Sequence, residues 1–160
     1  MNIRRATADD RDAIWRVIEP IIRAGETYPV ARDATKDQGL AYWFDPKHEV
    51  FVAEEDGAIL GSYYIKANTG GPGDHVANCG YMVSPPAWGK GVGRALCMHS
   101  LQRARERGFR AMQFNLVISS NARAVHLWQS CGFEIVGRLP GAFRHPTQGY
   151  VDALILFQAL

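Results

Sequence analysis

The chain has 160 residues, 47% of them hydrophobic and 21% charged, a composition typical of a single globular domain with one core. Its formal net charge of +2 gives no indication of a nucleic-acid or membrane partner, and no run of about 18 apolar residues predicts a transmembrane helix. The three cysteines, Cys79, Cys97 and Cys131, lack metal-ligand spacing. They predict reduced thiols, so we expect a cytoplasmic protein.

Strand and helix patterns alternate along the chain. The predicted elements are a strand over 2–6, a helix from Thr7 to the Pro20–Gly25 region, a helix over 35–44, strands over 50–53, 59–66 and 76–83, a helix to about Arg107, a strand over 111–117, a helix over 121–130, and strands over 132–138 and 150–157. The order β-α-α-β-β-β-α-β-α-β-β predicts one domain over residues 1–160, α+β or α/β, with a mixed sheet.

The connection over residues 84–95 is the most informative segment, because Gly89, Gly91 and Gly93 stand between a strand and a helix. The first N–H groups of a helix have no intrahelical acceptor, and the positive end of the helix dipole lies with them, so such a turn binds phosphate. A Walker A loop and a Gly-x-Gly-x-x-Gly fingerprint both fail to match the spacing. A glycine-rich connection that binds nothing is the alternative.

The strand, the Val-x-Pro step, the three alternating glycines and the helix together resemble the acetyl-CoA-binding motif of the GNAT acetyltransferase superfamily. Trp88 stands where that family usually has Arg or Gln. A second segment over residues 121–133 resembles the family's N-x-x-A-x-x-L-Y-x-x-x-G-F stretch, with Trp128 at the Tyr position. The resemblance implies a three-layer α/β/α fold with a mostly antiparallel sheet of about seven strands, about four helices, and acetyl-CoA as cosubstrate.

The resemblance also implies which residues hold acetyl-CoA. They are Met82, Val83, Trp88, Gly89, Lys90, Gly91, Val92, Gly93, Arg94, Ala95, Asn121, Arg123 and Trp128. The backbone N–H groups from Lys90 to Ala95 would hold the pyrophosphate. Asn121 has two interpretations, an N-cap of its helix or an amide that binds the pantetheine arm. Since an indole N–H is not a usable acid, Trp128 cannot protonate the departing thiolate, and water is expected to do so.

Amine acetylation needs a neutral amine, a positioned thioester and donors for the oxyanion. The resemblance implies that the strand over 76–83 offers backbone N–H groups to the acyl carbonyl and the pantetheine, with Met82 and Val83 as the nearest candidates and Met82 as the expected oxyanion donor. Glu26, His75 and Tyr81 are the candidate bases, and a water held by backbone carbonyls is an alternative in which no side chain acts. No His, Asp or Glu set has metal-ligand spacing, so no metal is predicted.

Asn78 and Asn115 lie in strands with apolar neighbours, where amides need partners. We expect them to face the acceptor together with Tyr28, although bonds to backbone groups at a bulge would also explain them. The segments over 78–83 and 114–117 look like the branch that acetylates azetidine-2-carboxylate, and the loop over 26–29 resembles the branch that acts on phosphinothricin-like amino acids. The predicted reaction is therefore direct transfer to a small amino or imino acid. A non-catalytic acyl-CoA-binding module and a protein or peptide N-acetyltransferase are the alternatives. The resemblance also implies a homodimer.

Overall fold

The computed structural model describes all 160 residues and contains the eleven elements in the predicted order. The helices are α1 (Arg11–Ala24), α2 (Lys36–Trp43), α3 (Val92–Glu106) and α4 (Ala122–Ser130). The strands are β1 (Asn2–Arg5), β2 (Glu49–Glu55), β3 (Ala58–Ala67), β4 (Val76–Val83), β5 (Ala111–Ile118), β6 (Glu134–His145) and β7 (Gly149–Ala159). None of the helices is both long and apolar enough to cross a membrane.

The seven strands form one sheet in the order β1-β2-β3-β4-β5-β7-β6. Every neighbouring pair is antiparallel except β4 and β5, so the mixed, mostly antiparallel sheet is confirmed. The parallel pair is joined only where Val76 lies opposite Ala111 and Ala77 lies opposite Met112. Beyond that point the two strands diverge, which leaves one edge of β4 without a strand partner.

Two separate apolar clusters cover the two faces of the sheet and give the expected three layers. On one face, α1 and α2 pack through Ile14 and Leu40 against a cluster that includes Met82. On the other face, α3 and α4 pack through Leu96 and Trp128. Because side chains alternate along a strand, β4 sends Cys79 and Tyr81 to the second face and Met82 to the first.

The last hairpin is longer than the sequence predicts. The predicted strand ends at residue 138, but β6 continues through Pro140 and Gly141 to His145. The register shifts between Leu139 and Phe143, so a bulge accommodates both chain-breaking residues within the strand. The extension brings the β6–β7 turn to the cleft described below.

Candidate active site

A cleft of about 1090 Å³ opens where β4 and β5 diverge, and it runs from the start of α3 to the loop after α1. It brings together every site residue predicted from the sequence except His75, Lys90 and Ala95. The other sizeable hollow, about 520 Å³ beside Asp12 and Lys36, contains none of the predicted site residues.

The glycine-rich turn presents four free backbone donors to this cleft. The N–H groups from Gly91 to Arg94 have no acceptor within the chain, and they stand at the positive end of the α3 dipole. Gly91 is the N-cap with φ 79°, and the space beside it is open. These features fit a pyrophosphate. The predicted stretch is too long at both ends, because the Lys90 N–H donates to Ala87 and the Ala95 N–H donates to Gly91.

The remaining cofactor candidates surround that turn. The indole Nε1–H of Trp88 donates to the Val83 carbonyl at 2.8 Å, and the Arg123 guanidinium lies 5.3 Å from the Trp88 ring. The Asn121 side chain accepts from the Ala124 N–H at 3.3 Å, so the N-cap interpretation is observed, while its Nδ2 stays free to donate. Trp128 is buried against Tyr81 and forms an apolar wall of the cleft.

The prediction that the Met82 backbone donates to the oxyanion is wrong, whereas Val83, the other candidate, lies on the free edge of β4. Met82 lies opposite Ser62 in the β3–β4 ladder, and the neighbouring Ser84 N–H donates to Leu60 of β3. Since N–H groups alternate in direction along a strand, the even-numbered residues of β4 point to β3. The free edge of β4 therefore presents the backbone groups of Tyr81 and Val83. This assignment requires the β3–β4 register to within one residue, which sequence patterns do not provide.

Tyr28 contacts this free edge directly. Its hydroxyl accepts a hydrogen bond from the Tyr81 N–H and donates one to the Tyr81 carbonyl, both at 2.7 Å. The predicted substrate residue thus lies in the cleft, but its hydroxyl is held by the backbone of β4. Burial raises the pKa of the Tyr28 phenol, so this group stays protonated at neutral pH.

The three candidate bases have different positions. His75 is exposed outside the cleft, so the structure does not bring it to the site. The Tyr81 hydroxyl lies 2.6 Å from Ser100 Oγ, and burial raises its pKa well above the usual value. The phenol therefore keeps its own proton and cannot act as a base. Glu26 lines the cleft as an exposed carboxylate. Glu26 and a bound water are the bases compatible with this geometry.

The two asparagines lie on the diverging strands. Asn78 donates from Nδ2 to the Gln113 carbonyl at 2.9 Å and bridges the gap where the ladder ends, so the backbone-bridging alternative is observed for this nitrogen. Its Oδ1 remains free to accept from a ligand. Asn115 donates to Asn68 Oδ1 at 2.6 Å and accepts from Gln113 at 3.0 Å.

Sequence patterns missed several residues of the cleft wall. Lys66 lies opposite Asn78 in the β3–β4 register, is half-buried, and has no ion-pair partner. Its place beside Asn78 depends on the β3–β4 register, so no local signal in the sequence marks it. Other missed residues come from the helices, from β3 and from the bulged hairpin, and they include Ile21, Tyr42, Tyr64, His126, His145, Thr147 and Gln148. No three His, Cys, Asp or Glu side chains are grouped so as to hold a metal ion.

The comparisons with known proteins agree with this geometry. The acetyltransferase (GNAT) family model matches residues 14–133. The N-acetyltransferase aca1 of Schizosaccharomyces pombe is 32% identical over 151 residues, which cover 84% of this chain and 72% of that protein.

Two solved structures show the same fold. A GCN5-related N-acetyltransferase from Kribbella flavida has a TM-score of 0.94 and 42% identity over 99% of this chain and 97% of its own. A phosphinothricin acetyltransferase from Sinorhizobium meliloti in complex with acetyl-CoA has a TM-score of 0.86 and 21% identity, over 99% and 88% of the two chains. The chain therefore belongs to the acetyltransferase (GNAT) family and is an acetyl-CoA-dependent acetyltransferase.

Proposed function

We propose that this enzyme acetylates the amino group of a small amino or imino acid by direct transfer within a ternary complex. The observation that supports this acceptor class is Lys66, a half-buried residue of the cleft wall that makes no ion pair. Its ammonium is therefore available to pair with an acceptor carboxylate. The free Oδ1 of Asn78, beside Lys66 in the register, can accept a hydrogen bond from the acceptor amine.

The chemistry follows from these groups. The neutral amine nitrogen attacks the thioester carbon, an N–C bond forms, and the C–S bond to CoA breaks. The proton lost from nitrogen passes to the Glu26 carboxylate or to water. Trp128 has no acidic hydrogen, so the CoA thiolate takes its proton from water. A thiol pKa of about 8.5 makes that thiolate a tolerable leaving group.

The burial of the cysteines supports direct transfer and argues against an acetylated cysteine intermediate. All three are buried, and only Cys79 lines the cleft. Burial raises the pKa of the Cys79 thiol to about 12, so it has almost no thiolate to carry an acetyl group. A homodimer and a cytoplasmic location stay predictions.

Replacing Lys66 with Met tests the acceptor class. We expect the KM for an amino-acid acceptor to rise about 100-fold, because a carboxylate in the cleft loses its charged partner. The carboxamide of the same amino acid has no carboxylate, so its kcat/KM should change less than about threefold. The measurement is steady-state kinetics, with released CoA counted by chromatography.

Lys47→Met is the matched control, since Lys47 is exposed and outside the cleft. An equal loss for amino acid and carboxamide, or no loss for either, would contradict carboxylate recognition by Lys66. A wild-type preference for the carboxamide or for peptide N-termini would favour the peptide acetyltransferase alternative.

A further inference from the structure

Two aromatic side chains of this chain already occupy the free edge of β4. The Trp88 indole donates to the Val83 carbonyl, and the Tyr28 hydroxyl bonds both the N–H and the carbonyl of Tyr81. Of the backbone donors that this edge presents, the Val83 N–H is therefore free and the Tyr81 N–H is covered. A thioester in the cleft would therefore face the free Val83 N–H and, at Tyr81, the Tyr28 hydroxyl in place of the backbone N–H.

A CoA arm that follows the cleft from the glycine turn would bring its thioester near Tyr81. The cleft runs from the glycine turn along β4, past Val83 and then Tyr81, to the loop that carries Tyr28. Two residues of a strand span about 7 Å, so the arm passes the Val83 N–H before it reaches Tyr81. An acyl carbonyl at that point would meet the Tyr28 oxygen, because that oxygen lies 2.7 Å from the Tyr81 nitrogen.

We propose that the Tyr28 hydroxyl, polarised by the Tyr81 N–H, is the hydrogen-bond donor that stabilises the oxyanion of the reaction. The O–H bond turns from the Tyr81 carbonyl to the thioester oxygen while the phenol oxygen stays in place. The freed Tyr81 carbonyl can then accept from the N–H of the attacking amine. Tyr28 gives up no proton, so it is a donor and not a general acid. This inference rests on the acyl-transfer part of the proposed function.

The surroundings of Tyr28 fix its hydroxyl in this position. Its ring packs edge-on against Trp43, with 6.2 Å between ring centres, and Trp43 is held by a 2.9 Å bond from its indole nitrogen to Ser62. Pro29 follows and restricts the backbone of the loop. A preorganised donor of this kind stabilises developing charge without reorganisation. The raised pKa of the phenol keeps its hydrogen on oxygen.

The Tyr28→Phe variant removes only the donor. We expect kcat to fall about 100- to 1000-fold, the effect of losing one oxyanion donor, while the Kd for acetyl-CoA changes less than about threefold. The ¹³C chemical shift of [1-¹³C]acetyl-CoA gives a second readout. Bound to the wild type, the carbonyl should move downfield from its value in water, and in Tyr28→Phe that displacement should disappear.

Tyr63→Phe is the matched control. Its hydroxyl also makes a 2.7 Å bond, to His99 Nδ1, but it lies outside the cleft. The carbonyl displacement should persist in this variant. If Tyr28→Phe retains both the displacement and kcat, the Tyr81 N–H is the donor and Tyr28 only clamps the loop. The shift is measured without acceptor, so it tests Tyr28 even where the proposed acceptor class is wrong.

Discussion

Replacing Gly91 with Asp is expected to weaken acetyl-CoA binding about 100-fold, because like charges forced together cost several kcal/mol. Gly91 is the N-cap of α3, and its N–H is one of the four free donors of the turn. A carboxylate there would occupy the anion site and repel the pyrophosphate. Asp tolerates the left-handed conformation, and a negative charge suits a helix N-terminus, so the variant should fold. Isothermal titration calorimetry measures the Kd.

Gly108→Asp provides a matched control for that substitution. Gly108 also has φ 79° and open space beside it, but it lies beyond the C-terminal end of α3 and outside the cleft. Any cost of backbone strain is therefore shared, whereas the loss of cofactor affinity should occur only at Gly91. Equal Kd values for the two variants would contradict the assignment of the pyrophosphate to this turn.

Replacing Gly80 with Ala should reduce kcat/KM for the acceptor about 100-fold and lower the free energy of unfolding by about 1–3 kcal/mol. A Cβ atom at this position would lie 2.5 Å from the Tyr64 ring. Tyr64 cannot simply withdraw, because it stacks on His48 at 3.8 Å and packs edge-on against Trp43 at 5.0 Å. The ring is also a wall of the cleft, so any movement changes the shape of the space in which we propose that the acceptor binds.

Gly70→Ala is the control for added bulk, since a Cβ atom at Gly70 meets no neighbour. Steady-state kinetics and chemical denaturation measure the two effects separately. A Gly80→Ala enzyme with wild-type kinetics would show that the Tyr64 wall does not shape the acceptor pocket. A drop in stability without a kinetic change would lead to the same conclusion.

Local sequence signals were sufficient for most of the fold and for the position of the glycine-rich turn before α3. The predicted limits of β4 are exact, α3 ends within one residue of its predicted end, and α4 begins within one residue of its predicted start and ends where predicted. These elements follow from side-chain periodicity, helix caps and glycines, all of which act over a few residues. The position of the free N–H groups that begin at Gly91 is determined only by where α3 begins, so the sequence could locate them.

Features that depend on contacts between distant segments could not be predicted. Whether the N–H of Met82 or that of Tyr81 faces the gap between β4 and β5 depends on the β3–β4 register. A shift of that register by one residue would reverse the answer. The Tyr28 hydroxyl reaches Tyr81 across 53 positions of sequence. Likewise, the bulge that carries β6 past Pro140 exists because β7 pairs with it on both sides of the shift.

The most direct test of the central claim is acetyl-CoA turnover by the wild-type enzyme across amino acids, imino acids, polyamines, aminoglycosides and short peptides. Released CoA is counted by chromatography and acetylated products are identified by mass spectrometry. Direct transfer predicts N-acetylated amino or imino acid and intersecting initial-velocity lines when both substrates are varied. Turnover confined to peptides, or parallel lines with an acetylated enzyme, would contradict the account.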